Sequence, residues 1–146
     1  MKRTILFALI WVSVMACDEK QNATPQPEPQ STSVPYRKQT KIAASGAGAS
    51  GADLKVDLRE VNDSRCPKDV VCIQMGSARI KLNVSDATNS TEVNVDFKGN
   101  AKADSQAFTL SGQNYMLTVS ELQPYPVSTQ TPKIEDYKVN VTIEKK

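Results

Sequence analysis

Apolar residues recur at every second position in five separate stretches of this 146-residue chain. Leu54, Val56 and Leu58 alternate with Lys55, Asp57 and Arg59; Ala78, Ile80, Leu82 and Val84 alternate with Arg79, Lys81, Asn83 and Ser85. The same pattern returns in Val93, Val95 and Phe97, in Tyr115, Leu117 and Val119, and in Tyr137, Val139, Val141 and Ile143. A strand points successive side chains to opposite faces, so a period of two describes a strand with one wet and one buried face. Segments 37–44 and 106–110 are weaker candidates, and no stretch carries a 3.6-residue period. The pattern predicts an all-β domain of about seven strands. Val56, Leu58, Ile80, Leu82, Val95, Phe97, Phe108, Leu117, Val119, Val139 and Val141 are expected to face inward.

The breaks between these runs carry turn chemistry. Asp86-Ala87-Thr88-Asn89-Ser90 and Lys98-Gly99-Asn100 separate neighbouring strands, and Ser111-Gly112-Gln113-Asn114 reads as a hairpin connection. The alanine–glycine–serine stretch 43–52 reads as a mobile loop. Pro124, Pro126 and Pro132 make 123–133 a long, stiff crossover, because proline cannot donate to a ladder. Seven strands with one long late connection suggest a two-sheet antiparallel β-sandwich, with immunoglobulin-like topology as one arrangement.

The N-terminus has a different character. Lys2 and Arg3 precede an apolar run from Ile5 to Val12, and Val14-Met15-Ala16-Cys17 follows. This is the layout of a secretory signal, and the twelve residues from Ile5 to Ala16 fall short of the roughly twenty that a membrane span requires. The ending resembles the lipobox of bacterial lipoproteins. That resemblance implies cleavage after Ala16 and acylation of Cys17, which would anchor the protein to a membrane of the bacterial cell envelope. Asp18 directly after the cysteine looks like the inner-membrane retention signal of enteric bacteria; other hosts sort differently, so inner against outer membrane stays open. Residues 18–33, rich in Pro, Gln, Glu and Ser, bury nothing and favour extended chain. The expected organisation is a signal peptide over 1–16, a lipidated cysteine and tether over 17–35, and a sandwich over 36–146.

Of 18 basic residues, cleavage would remove Lys2 and Arg3 and leave 16 to balance 16 acidic ones. A neutral mature chain argues against nucleic acid, which needs a basic face, and against electrostatic capture by anionic lipid. Trp11, the single tryptophan, would leave with the signal, so an aromatic stacking platform is not expected. Of three cysteines, Cys66 and Cys72 remain once Cys17 is lipidated. In an oxidising compartment they are expected to pair as a structural disulfide. A redox pair more often reads Cys-x-x-Cys, and a zinc site would need further ligands in a chain without histidine.

Asp63-Ser64-Arg65-Cys66-Pro67, followed by Cys72 and Gly76, is the most specific motif of the mature domain. With Pro124-Tyr125-Pro126 and Asp136-Tyr137 it resembles small, uncharacterised bacterial lipoproteins. Those proteins carry Asp-Ser-Arg-Cys-Pro after a strand, a second cysteine near a tryptophan, then glycine and another strand. Here Gln74 stands where the tryptophan is expected. The resemblance implies a fold and an envelope address, and no activity.

Catalysis has little to work with. No histidine is present for a Ser-His-Asp or Cys-His set, and no Ser-x-x-Lys follows the signal. Asp53 and Asp57 read as a solvated strand face, and Met75 and Met116 read as packing rather than copper ligands. No cofactor and no metal is expected. The function left is non-enzymatic binding, with another envelope protein as the expected partner. Asp63, Arg65, Lys68, Asp69 and Tyr125 are the candidate contact residues, on the loop ending at Cys72 and on the crossover. The alternative is a disulfide-loop protease inhibitor that presents Lys68, since preorganisation reduces the entropy lost on docking.

Overall fold

The computed structural model describes residues 30–46 and 52–146. The signal, Cys17, most of the tether and the centre of the alanine–glycine–serine stretch lie outside the described residues.

Nine strands form among the described residues: β1 (Thr32–Pro35), β2 (Thr40–Ala43), β3 (Ser45–Gly46), β4 (Asp53–Asp63), β5 (Ser77–Ser85), β6 (Ser90–Lys98), β7 (Asp104–Leu110), β8 (Gln113–Gln123) and β9 (Lys138–Lys145). A single 3-10 turn, Ile134–Asp136, precedes β9. One sheet runs β2-β4-β5-β6 and the other β1-β9-β8-β7, with β3 also on β9. Apart from parallel β3, every ladder is antiparallel. The expected two-sheet β-sandwich is what the chain forms.

Spatial order follows chain order through β4, β5 and β6 and again through β7, β8 and β9. The sandwich is therefore a flattened meander, with β1 laid against β9, and the immunoglobulin-like arrangement does not occur.

The inner faces are the alternating residues read from sequence. Val56, Leu58, Ile80, Leu82, Val95, Phe97, Leu117, Val119, Val139 and Val141 are buried together in one core. Phe108 lies at its margin, partly covered and stacked on Tyr115 with ring centroids 5.3 Å apart. Two expectations shift. Val34 is fully buried in β1, so strand structure is already present at Thr32–Pro35, inside the stretch expected as tether. Asp57 is buried beside Arg59 at 3.0 Å rather than solvated.

Both long strands change phase partway. The β4–β5 register slips between Leu58 and Glu60, and the β8–β9 register slips between Val119 and Glu121. Each β-bulge inserts one residue, so Val61 and Leu122 take the inward positions that strict alternation would give to Glu60 and Glu121. The bulged ends of β4 and β8 are at the same end of the sandwich, and there the long loops meet.

The opposite end is closed by tight turns. Ser111 and Gly112 both have positive φ, 50° and 74°, as a two-residue hairpin turn matching the strand twist requires. Asp86 accepts from the backbone N–H groups of Thr88 and Asn89 and from Ser111 Oγ, tying two hairpin turns together. The Ser111 hydroxyl is the largest influence holding its carboxyl well below the usual range, followed by the two N–H groups.

Candidate functional site

The candidate residues gather where β4 ends. Asp63 closes β4, and Arg65 turns back beneath the loop that follows. Arg65 Nε and Nη2 donate to the two carboxylate oxygens of Asp63 at 2.9 and 2.7 Å, a bidentate fork. Its Nη1 donates to the Leu122 carbonyl at 3.0 Å, and Nη2 also reaches the Pro124 carbonyl at 3.2 Å. One guanidinium thus fastens the end of β4 to the end of β8 and to the crossover. It lies between two rings, with its carbon 4.4 Å from the centroid of Tyr125 and 6.0 Å from that of Phe97. The side chains of Arg65 and Asp63 are only 1% and 5% exposed. They build the site and do not present themselves to a partner, which corrects their reading as contact residues. A charge buried this deeply persists only with every donor paired.

Tyr137 completes the cluster, its Oη donating to Asp63 Oδ2 at 3.0 Å. Burial first, then the Asp63 charge and this hydrogen bond, push its phenol up to about 12. The unfolded phenol ionises near 10. The folded state therefore holds the proton more tightly, and this contribution to stability is complete below pH ~10 and lost as pH rises toward ~12. A tyrosinate absorbance step near pH 12, missing in Tyr137→Phe, is the expected result of an alkaline titration. An unchanged titration in that variant would show the assignment to be wrong.

Cys66 and Cys72 are disulfide-bonded, with Cα atoms 6.0 Å apart. Closing so short a loop stabilises by about 2 kcal/mol on the loop-entropy account. The base of the loop is further tied by Cys66 N–H to the Met75 carbonyl at 2.8 Å and Ser64 N–H to the Ser77 carbonyl at 2.9 Å. Gly76 has φ 66°, and a Cβ there would run into the Ser64 carbonyl, so the motif needs glycine at this position.

The crossover is stitched to the same loop. Lys68 N–H donates to the Pro126 carbonyl at 3.1 Å, and Ser128 donates to Asp69 through N–H at 2.8 Å and Oγ at 2.5 Å. The Ser128 hydroxyl, then its N–H, hold the exposed Asp69 carboxyl below its ordinary pKa. Tyr125 Oη reaches the Gly99 carbonyl at 3.4 Å, and Gly99 N–H reaches the Gly76 carbonyl at 2.9 Å. Three segments far apart in sequence become one surface around Tyr125.

Three depressions open on that surface, the smallest, about 310 Å³, between Tyr125 and the loop residues Lys68, Val70, Val71 and Met75. One of about 410 Å³ is lined by Pro124, Tyr125, Val127, Pro132 and Lys138. Another of about 440 Å³ lies between Lys68, Phe97, Ala101 and the opposite side of Tyr125. Lys68 and Asp69 stand exposed as expected, and Tyr125 is half-buried.

The period-two reading missed the residues at the loop apex. Val71 and Ile73 are 102% and 105% exposed, and Val70 and Met75 are more than two-fifths exposed. Met75 is therefore not packed in the core. The signal was present as an apolar run, Val70-Val71-Cys72-Ile73, that does not alternate. Gln74, in the place of the expected tryptophan, also faces solvent, so no gap beside the disulfide needs filling. Among the described residues no group of three or more Cys, Asp or Glu is placed to hold a metal ion. Comparison of the chain with protein-family models, with curated proteins and with solved structures finds no match.

Proposed function

We propose that this chain is a lipid-anchored lipoprotein of the bacterial cell envelope whose sandwich works without catalysis, by binding another envelope protein. The observation that carries this reading is the fusion of the 64–76 loop and the 123–137 crossover into one braced surface around Tyr125. A surface already fixed by a disulfide, a buried ion pair and proline loses little entropy when a partner docks. Its shallow apolar hollows, rimmed by Lys68, Asp136 and Lys138, have the character of a protein contact: an aromatic at the centre and polar groups at the edge.

The inhibitor reading has less behind it. Lys68 lies in a turn closed by Val70 N–H on the Pro67 carbonyl, and its own N–H is given to Pro126. A substrate-like loop would offer a protease extended backbone with free hydrogen-bonding groups. Photoreactive residues placed at Tyr125 and Lys68 in cells are expected to trap one and the same envelope protein. Placed at Ala87, at the far end of the sandwich, the reactive group should trap nothing. Equal labelling from all three positions, or no adduct from either site position, would remove this reading.

A further inference from the structure

The loop apex departs from the rest of the surface. Among the described residues, five large apolar side chains are substantially exposed, and four of them, Val70, Val71, Ile73 and Met75, fall within six consecutive positions. Exposing branched apolar side chains to water gives up the stabilisation that burial would supply, and contiguous exposed patches mark contact sites. The apex is held at its base by the disulfide and by the Cys66–Met75 and Gly76–Gly99 hydrogen bonds, so it cannot fold its side chains back onto the core.

The charge around the apex is uneven, although the mature chain is neutral overall. Lys68 in the loop, and Lys98 and Lys102 in the connection fixed to it through Gly99, are all exposed. Asp69 and Asp104 keep their negative charges while accepting from Ser128 and the Lys98 N–H, so three lysines stand against two carboxylates. Apolar side chains on a projecting apex with lysines behind them match the layering of a bilayer interface, acyl chains beneath anionic headgroups. Val70, Val71 and Met75 also border a hollow of about 310 Å³ shared with Tyr125, whereas Ile73 lines none of the hollows around that ring.

The length of chain preceding the domain adds a further argument. Fifteen residues run from Cys17 to Ser31, and fully extended, at ~3.3–3.6 Å per residue, they reach at most about 50–54 Å. A domain anchored at Cys17 stays within that distance of lipid. We infer that the Val71–Ile73 apex inserts into the phospholipid interface and so fixes which way the tethered domain faces. This rests on the anchoring proposed above, and it gives the anchor something acyl chains on a flexible tether lack, an orientation.

The missing tryptophan provides the test. Residues 17–146 contain no tryptophan, and every core residue lies between Val34 and Ile143. The Cys17 thiol, outside the disulfide, can be coupled to maleimide lipid in vesicles of phosphatidylcholine and phosphatidylglycerol with brominated acyl chains. This supplies a tether whether or not the cell lipidates Cys17, which the mass of the native N-terminus reports separately. Ile73→Trp is expected to shift its emission to the blue and to lose most of it to bromine quenching, while Ala87→Trp stays unquenched. Adding Val71→Asp to Ile73→Trp should restore the emission. Equal quenching at 73 and 87, or none at 73, overturns the inference. So would a blue shift at 73 that needs an envelope protein and not lipid, which would give the apex to a protein partner.

Discussion

Arg65→Ala is expected to destabilise the domain by about 3–5 kcal/mol, the usual effect of stripping one partner from a buried ion pair. The magnitude follows from what stays behind. Asp63 would remain almost wholly covered, with only Tyr137 Oη and the residue 65 N–H to satisfy its charge. The Leu122 and Pro124 carbonyls would lose their donor together. Arg65→Lys should recover little, since a single ammonium cannot hold a bidentate carboxylate and two carbonyls at once. Removing both charges, in Asp63→Asn/Arg65→Met, should recover a good part of the loss, because no uncompensated charge stays in the core. Urea unfolding followed by circular dichroism measures all three. A loss below ~1 kcal/mol for Arg65→Ala, the range of an exposed pair, would mean that the guanidinium is not the fastening described above. The same variant should loosen Tyr125, whose ring stacks on Arg65.

Cys17→Ser is the second large effect, and it acts on location rather than stability. The lipobox-like ending implies that Cys17 is acylated, and among the described residues no helix is long and apolar enough to cross a membrane. Nearly all of the wild-type protein is expected in the detergent phase of a phase partition, and nearly all of Cys17→Ser in the aqueous phase. Stability to urea should be the same for both, since Cys17 precedes the first core residue, Val34, by seventeen positions. Intact mass of the membrane fraction should find a diacylated or triacylated cysteine. Unmodified protein that still begins at Met1, or detergent partition that survives the substitution, would end the lipoprotein proposal.

The sandwich was legible because burial on one face writes itself into alternation, and alternation is local. Ile80, Leu82, Val95, Leu117 and Val141 needed no partner to be recognised as core. The reading stopped where the period broke. Leu58 and Val119 looked like the last inward residues of their strands, since Arg59-Glu60 and Ser120-Glu121 put two polar residues in a row. An inserted residue shifts the phase by one, so Val61 and Leu122 fall out of pattern while remaining in the core. β1 was missed for a related reason: with one buried side chain, Val34, in a Pro- and Ser-rich neighbourhood, it has no period to display. It exists because β9 offers an edge.

The site was legible in part. The motif singled out Asp63 and Arg65 together, but as contact residues rather than as a buried pair. Which side of the surface they occupy depends on Leu122, Pro124 and Tyr125, nearly sixty residues later, and no local pattern carries that information. The apex residues were hidden by the rule that makes strands readable, under which apolar means inside. Val71 and Ile73 obey the composition of a core without its geometry.

The meander has a consequence for how the chain becomes a domain. Through β4, β5 and β6 each strand meets its neighbour as soon as both exist, and such local hairpins form quickly. β9 is different, because it sits between β8 and β1 and also receives β3, although it is the final strand. A chain emerging N-terminus first can complete one sheet and the β7–β8 hairpin, yet β1 has no edge to join until residues 138–145 are free. Until then Val34 and the inner face of β8 stay open to water, and the buried arginine has its β4 and β8 anchors without Tyr137 to steady Asp63. Assembly of the second sheet therefore waits on the last strand, and the domain becomes whole in one late step rather than by gradual accretion.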